Sequence, residues 1–192
     1  MNIYLVRHGR TAMTGTYCGI SDPPLTEYGR ADLAGSARLL ENIAFDHCFS
    51  SPLTRCRQSL DLLDIACTYT VEEQLKEIDF GDWEGKNLDD IYANDRAGFD
   101  RWLKESMNFT FPAGESIHDF TDRVGEWFTK LTEKEFENVL IVSHSGVLRV
   151  GLCRLTGIPV DKYQCFSMSE GRVSKLCYQY DAAIIAYLNC QG

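Results

Sequence analysis

The chain has 192 residues, enough for one well-buried domain over residues 1–192 and short for two of ordinary size. A hydrophobic fraction of 44% with 24% charged residues excludes the disordered and low-complexity classes. The formal net charge of −9 argues against nucleic acid or an anionic membrane as the main partner, since both demand a basic footprint.

Asn2 to Val6 is a short apolar run that reads as a buried strand ending in the polar segment Arg-His-Gly-Arg-Thr. The run is too short for a signal peptide or a membrane span, so a cytoplasmic protein is expected. The spacing predicts a helix over Thr26–Leu40 with Leu33, Ala37 and Leu40 on one face. A second helix is predicted over Pro52–Leu63, with Ser51 as N-cap and Pro52 at the first helical position. Further helices are expected at Leu88–Glu105, Ser116–Thr132 and Ser145–Thr156, the last stopped by Gly157 and Pro159. Val139–Val142 repeats the design of the first strand and also ends at a histidine, His144. Val173–Tyr180 and Ala183–Asn189, parted by Asp181-Ala182, read as a hairpin or edge pair. Strands alternating with helices indicate an α/β fold with a mainly parallel central sheet. The loop 108–114 has the composition of either a surface loop or a flap over a site.

Eight cysteines show no C-x-x-C pair and no zinc spacing with histidines, so reduced thiols, mostly filling the core, are expected and no metal site. Two of the four histidines, His8 and His144, stand at predicted strand ends, where open α/β sheets place ligands. Arg7 adjoins His8, and Arg55 falls in the first turn of a helix. Guanidinium groups bind phosphoryl oxygens bidentately and keep their charge, and a helix starting near Ser145 would add N–H donors. A neutral His8 could then attack phosphorus, with His144 stabilising the equatorial oxygens. The leaving alkoxide needs a proton, for which Glu77, Asp79, Asp82 and Glu84 compete on spacing; Phe80 and Trp83 would help desolvate Glu77.

Six segments in order, Arg7–Thr11 (RHGRT), Asp22–Arg30 (DPPLTEYGR), Ser50–Ser59 (SSPLTRCRQS), Glu77–Gly85 (EIDFGDWEG), Pro112–Ser116 (PAGES) and Val142–Arg149 (VSHSGVLR), resemble the histidine phosphatase, or phosphoglycerate mutase-like, superfamily. The resemblance implies a three-layer sandwich of helices about a mainly parallel sheet, no cofactor or metal, and a phosphohistidine intermediate. It implies His8 as nucleophile, Arg7, Arg55 and His144 as phosphate pocket, and Glu77 as proton donor; Arg55 rather than Arg57 takes the arginine position of its motif. Thr14, Cys18, Gly19 and Ser145 become candidate phosphate or substrate contacts. Within the superfamily the chain looks most like the alpha-ribazole phosphatase group, which implies a small phosphate monoester as partner. A broad-specificity sugar-phosphate phosphatase, a phosphoglycerate mutase and a non-catalytic binding module are the alternatives. Arg10 departs from the usual pattern after RHG and would add a positive charge at the pocket mouth, favouring a second anionic group on the substrate.

Overall fold

Four parallel strands form one side of a six-stranded sheet in the computed structural model, which describes residues 1–192. In chain order the strands are β1 (Asn2–Arg7), β2 (His47–Ser50), β3 (Tyr69–Val71), β4 (Asn138–Ser143), β5 (Val173–Gln179) and β6 (Ala182–Cys190). Their spatial order is β3-β2-β4-β1-β5-β6. The first four are parallel, β5 pairs antiparallel with β1, and β6 pairs antiparallel with β5. Short β2 and β3 are not among the strands expected from the sequence, because four and three residues give no readable alternation.

β1 and β4 are apolar at nearly every position because both of their faces are covered. Ile3, Leu5, Val139 and Ile141 enter one core, with α6 (Ile117–Thr132) and α7 (Ser145–Thr156). Tyr4, Val6, Leu140 and Val142 enter the other, with Leu33, Leu40, Cys56, Leu60 and Leu63. Successive side chains of a strand point to opposite faces, so the two clusters are the two interfaces of a three-layer α/β/α sandwich.

The expected helix over 26–40 is divided at Leu33 into α1 (Glu27–Asp32) and α2 (Ala34–Leu40). That over 88–105 is divided at Asp95 into α4 (Leu88–Asn94) and α5 (Arg96–Glu105). Asp95 leaves helical geometry because its carboxylate accepts from Gly98 N–H at 3.0 Å and from the Trp83 indole at 2.9 Å. Helix α3 (Thr54–Leu63) starts two residues later than expected, and Ser51 is not its N-cap. Asp22, distant in sequence, does that work: it accepts from Thr54 N–H and from Thr54 Oγ1, both at 2.7 Å. Helix α7 spans its expected residues and ends on Gly157 in the left-handed region at φ +73°.

The β5–β6 turn is Tyr180-Asp181, both at positive φ, one residue earlier than expected. The loop 108–114 is anchored by Phe109 and Phe111, both buried, and bridged through Thr110 to Ser116. All eight cysteines are free, but only Cys48, Cys56 and Cys153 are buried, so fewer fill the core than expected. No helix is long and apolar enough to cross a membrane.

Candidate active site

Adjacent parallel strands carry the two histidines to one place. Arg7 pairs with Ser143 in the β1–β4 register, and His8 N–H donates to the Ser143 carbonyl at 3.0 Å. His8 and His144 therefore leave the carboxyl ends of neighbouring strands, and their ring centroids lie 5.1 Å apart. His144 sits between β4 and α7, with α7 beginning at the next residue.

The hydrogen bonds set both tautomers. His8 Nδ1 is 2.8 Å from the Gly9 carbonyl, which only accepts, so Nδ1 carries the proton and Nε2 keeps its lone pair. Arg55 Nε, which only donates, lies 3.3 Å from His8 Nε2 and 3.2 Å from His144 Nδ1. His144 Nε2–H then donates to Ser51 Oγ at 2.8 Å. Burial, then the charges of Arg55 and Arg7, hold His8 well below the ordinary histidine value. Burial, followed by Arg55, does the same to His144. Both imidazoles are neutral near pH 7, the form a nucleophile requires.

Arg55 is fully buried beneath the site. Its terminal nitrogens donate to the carbonyls of Ser21 at 2.6 Å and Gly19 at 2.7 Å. It carries a positive charge under the two rings, while His144 holds Arg55 and Ser51 with its own nitrogens. Without a ligand, the polar atoms of both side chains are thus engaged with protein groups.

Arg7, His8, Thr14, Cys18, Glu77 and Ser145 do line one cleft of about 280 Å³. Glu77, Phe80 and Ser145 also border an adjoining chamber of about 290 Å³, walled by Tyr17, Trp102, Phe111 and Tyr163 and holding Arg149. Of three larger hollows, those of about 580 and 700 Å³ border His47 and Gly157 and contain none of the candidate residues, and one of about 360 Å³ borders Glu77 and Asp79.

Glu77 is held from both sides. Its carboxylate accepts from Gly146 N–H in the first turn of α7 at 3.0 Å and from Ile78 N–H at 3.2 Å. Ser143 Oγ donates to the Leu75 carbonyl at 2.8 Å, and Arg123 donates to the carbonyls of Gln74, Lys76 and Glu77 while paired with Glu115. Phe80 lines the cleft with Glu77; Trp83 does not, since its indole is turned to Asp95. Glu84, a rival on spacing, is consumed by the N–H groups of Gly19, Ile20 and Ser21.

Gly19 does not line this cleft: its N–H serves Glu84, its carbonyl serves Arg55, and a Cβ there would fall 1.9 Å from the Ile78 carbonyl. Cys18 and Thr14 line the cleft, the Cys18 thiol pushed up by burial. Arg10 does not enlarge the positive charge of the cleft, because it is paired bidentately with Asp32 at 2.8 and 2.7 Å. Arg149 and Glu170 border the site without having been singled out from the sequence. Arg149 lay within a recognised motif, whereas Glu170 carried no signal.

Three buried side-chain polar atoms in the chain lack a partner: Arg7 Nε, Ser145 Oγ and Arg149 Nε. All three belong to residues of the cleft and chamber, which share Ser145. Buried donors are rarely left unpaired, so a cluster of them marks where an acceptor-rich group would bind.

The chain is similar to known proteins over its full length. The chain is 30% identical to the adenosylcobalamin/alpha-ribazole phosphatase of Escherichia coli strain K12 over 197 aligned residues, covering 100% of this chain and 97% of that one. It is 28% identical to phosphoserine phosphatase 1 of Hydrogenobacter thermophilus, covering 98% and 92%. The crystal structure of the alpha-ribazole phosphatase from Shigella flexneri superposes with a TM-score of 0.92 at 30% identity, covering 99% and 96%. The model of the histidine phosphatase superfamily (branch 1) matches residues 3–191, and the chain belongs to that family.

Proposed function

We propose that the chain hydrolyses α-ribazole 5′-phosphate to α-ribazole and phosphate through a phosphohistidine formed on His8. The observation that carries the reading is that the buried, unpartnered atoms Arg7 Nε, Ser145 Oγ and Arg149 Nε all belong to residues of the cleft that His8 and Glu77 line or of the chamber that shares Glu77 and Ser145 with it. Phosphoryl oxygens are acceptors, and charged or hydroxyl donors held in a low-dielectric site bind them strongly.

In the first step the His8 Nε2 lone pair forms the N–P bond as the ester P–O bond breaks, and Glu77 in its acid form gives its proton to the leaving alkoxide. In the second step water attacks phosphorus, Glu77 takes a proton from that water, and the N–P bond breaks to return neutral His8. The Gly9 carbonyl holds the Nδ1 proton throughout and so leaves the Nε2 lone pair for the bond to phosphorus. Arg55 supplies positive charge from below, where its backbone partners hold it still. No step calls for a metal ion. The substrate assignment draws on the relatives named as alpha-ribazole phosphatases and on the aromatic lining of the chamber beside Glu77.

The test is phosphate release from α-ribazole 5′-phosphate beside 3-phosphoglycerate and p-nitrophenyl phosphate, with wild type and His8→Ala. A large His8-dependent preference for the ribazole ester is expected. Turnover that survives in His8→Ala would overturn the nucleophile, and a flat panel would overturn the substrate.

A further inference from the structure

Two carboxylates border the cleft, and the scheme above uses only Glu77. The second, Glu170, lies on the turn leading into β5. Its Oε1 accepts from Arg7 Nη2 at 3.3 Å and from Thr14 Oγ1 at 3.1 Å. The backbone on either side is tied down. Ser169 N–H donates to Asn189 Oδ1 at 2.7 Å, and Gly171 N–H donates to the carbonyls of Arg7 at 3.0 Å and His8 at 3.2 Å. Gly171 stands at φ +64° against Asp32, a conformation and a closeness that favour glycine. The Glu170 side chain is 20% exposed. A negative charge is thus held at a set point beside the Arg7 guanidinium, which the proposed function gives to the phosphoryl group.

The charge balance of the site gives this placement a consequence. Arg7 borders the cleft, Arg149 the chamber and Arg55 lies beneath the rings; His8 is neutral, Arg10 is spent on Asp32, and Glu77 enters the first step in its acid form, so Glu170 is the cleft carboxylate outside the proton transfer. A phosphate monoester already brings nearly two negative charges near neutral pH. A further anion on a part of the substrate that lies within the cleft meets Glu170 in a partly desolvated space, where like charges repel far more than in water. A leaving group that carries hydroxyls meets the same carboxylate as a hydrogen-bond acceptor.

We propose that Glu170 is a specificity-determining residue that turns away phosphate monoesters bearing a carboxylate near the phosphoryl group and admits uncharged, hydroxyl-bearing ones. The inference rests on the phosphatase reading and sharpens it, reversing the expectation drawn from Arg10.

The experiment compares kcat/KM for ribose 5-phosphate and 3-phosphoglycerate in wild type, Glu170→Gln and Glu170→Ala. Glutamine keeps the size and an acceptor oxygen, so a shift of Arg7 affects both substrates and cancels in their ratio. Wild type should prefer ribose 5-phosphate by about tenfold or more, and both variants should raise the 3-phosphoglycerate to ribose 5-phosphate ratio by about tenfold. An unchanged ratio in Glu170→Gln, including the case where only Glu170→Ala alters it, would overturn the charge argument. Equal use of the two substrates by wild type would overturn it as well. Absence of His8-dependent turnover on every substrate would instead bring down the phosphatase reading itself.

Discussion

Replacing Glu77 with glutamine separates its role as an acid from its role as a hydrogen-bond acceptor. The carboxylate accepts two backbone N–H groups, from Gly146 and Ile78, one on each oxygen. A glutamine amide has one acceptor oxygen, so one of these N–H groups loses its partner, at a cost of about 1–3 kcal/mol. That cost falls on all substrates alike. Loss of the transferable proton falls only on substrates whose leaving group needs one, and general acid catalysis contributes about 10²–10⁴-fold, or roughly 2.7–5.5 kcal/mol. The assay is kcat/KM for α-ribazole 5′-phosphate, which leaves as an alkoxide, against p-nitrophenyl phosphate, which leaves unprotonated. The ratio of the two should fall by about 10²–10⁴-fold in Glu77→Gln. Equal losses on both substrates would refute the acid role and reduce Glu77 to a brace for α7.

Burial, then Arg55 and Arg7, depresses His8, and burial, then Arg55, depresses His144, so the unfolded chain binds protons below pH 6.5 where the folded chain does not. Stability contributed by the two neutral rings is therefore complete above pH 6.5 and lost as pH falls from there toward their depressed values. Urea unfolding between pH 7.5 and 5 should show that slope, and His8→Asn should lessen it; an identical slope would contradict the assignment. Asp22→Ala removes the cap of α3 and should cost about 1 kcal/mol in chemical unfolding. It should also lower kcat/KM, because Arg55 stands in the first turn of that helix; full activity in a destabilised variant would show that Arg55 is positioned by its loop carbonyls alone.

Much of the frame was legible because it depends on local pattern. β1 and β4 are continuous apolar runs since both faces are buried, α6 shows its buried positions at helical spacing, and Gly157 announces the end of α7. The histidines stood out for a related reason: each is the first polar side chain with chemistry after a buried strand. The short strands β2 and β3 escaped because parallel pairing, not alternation, makes them strands. The breaks at Leu33 and Asp95 escaped because helical residues lie on both sides of each.

Arg7, His8, Glu77 and Ser145 could thus be named from motifs and strand ends, and they do meet in one cleft. Their partners could not. Asp22 caps a helix 32 residues away, Arg55 and His144 turn their nitrogens to protein groups, and Glu170 reaches Arg7 across 163 residues. A hydrogen bond depends on distance and direction in space, and sequence spacing carries neither between distant segments. The chain's order of residues was enough to establish which groups could do phosphoryl chemistry; only packing decided which of them face the cleft, which lie beneath it, and where a second carboxylate stands.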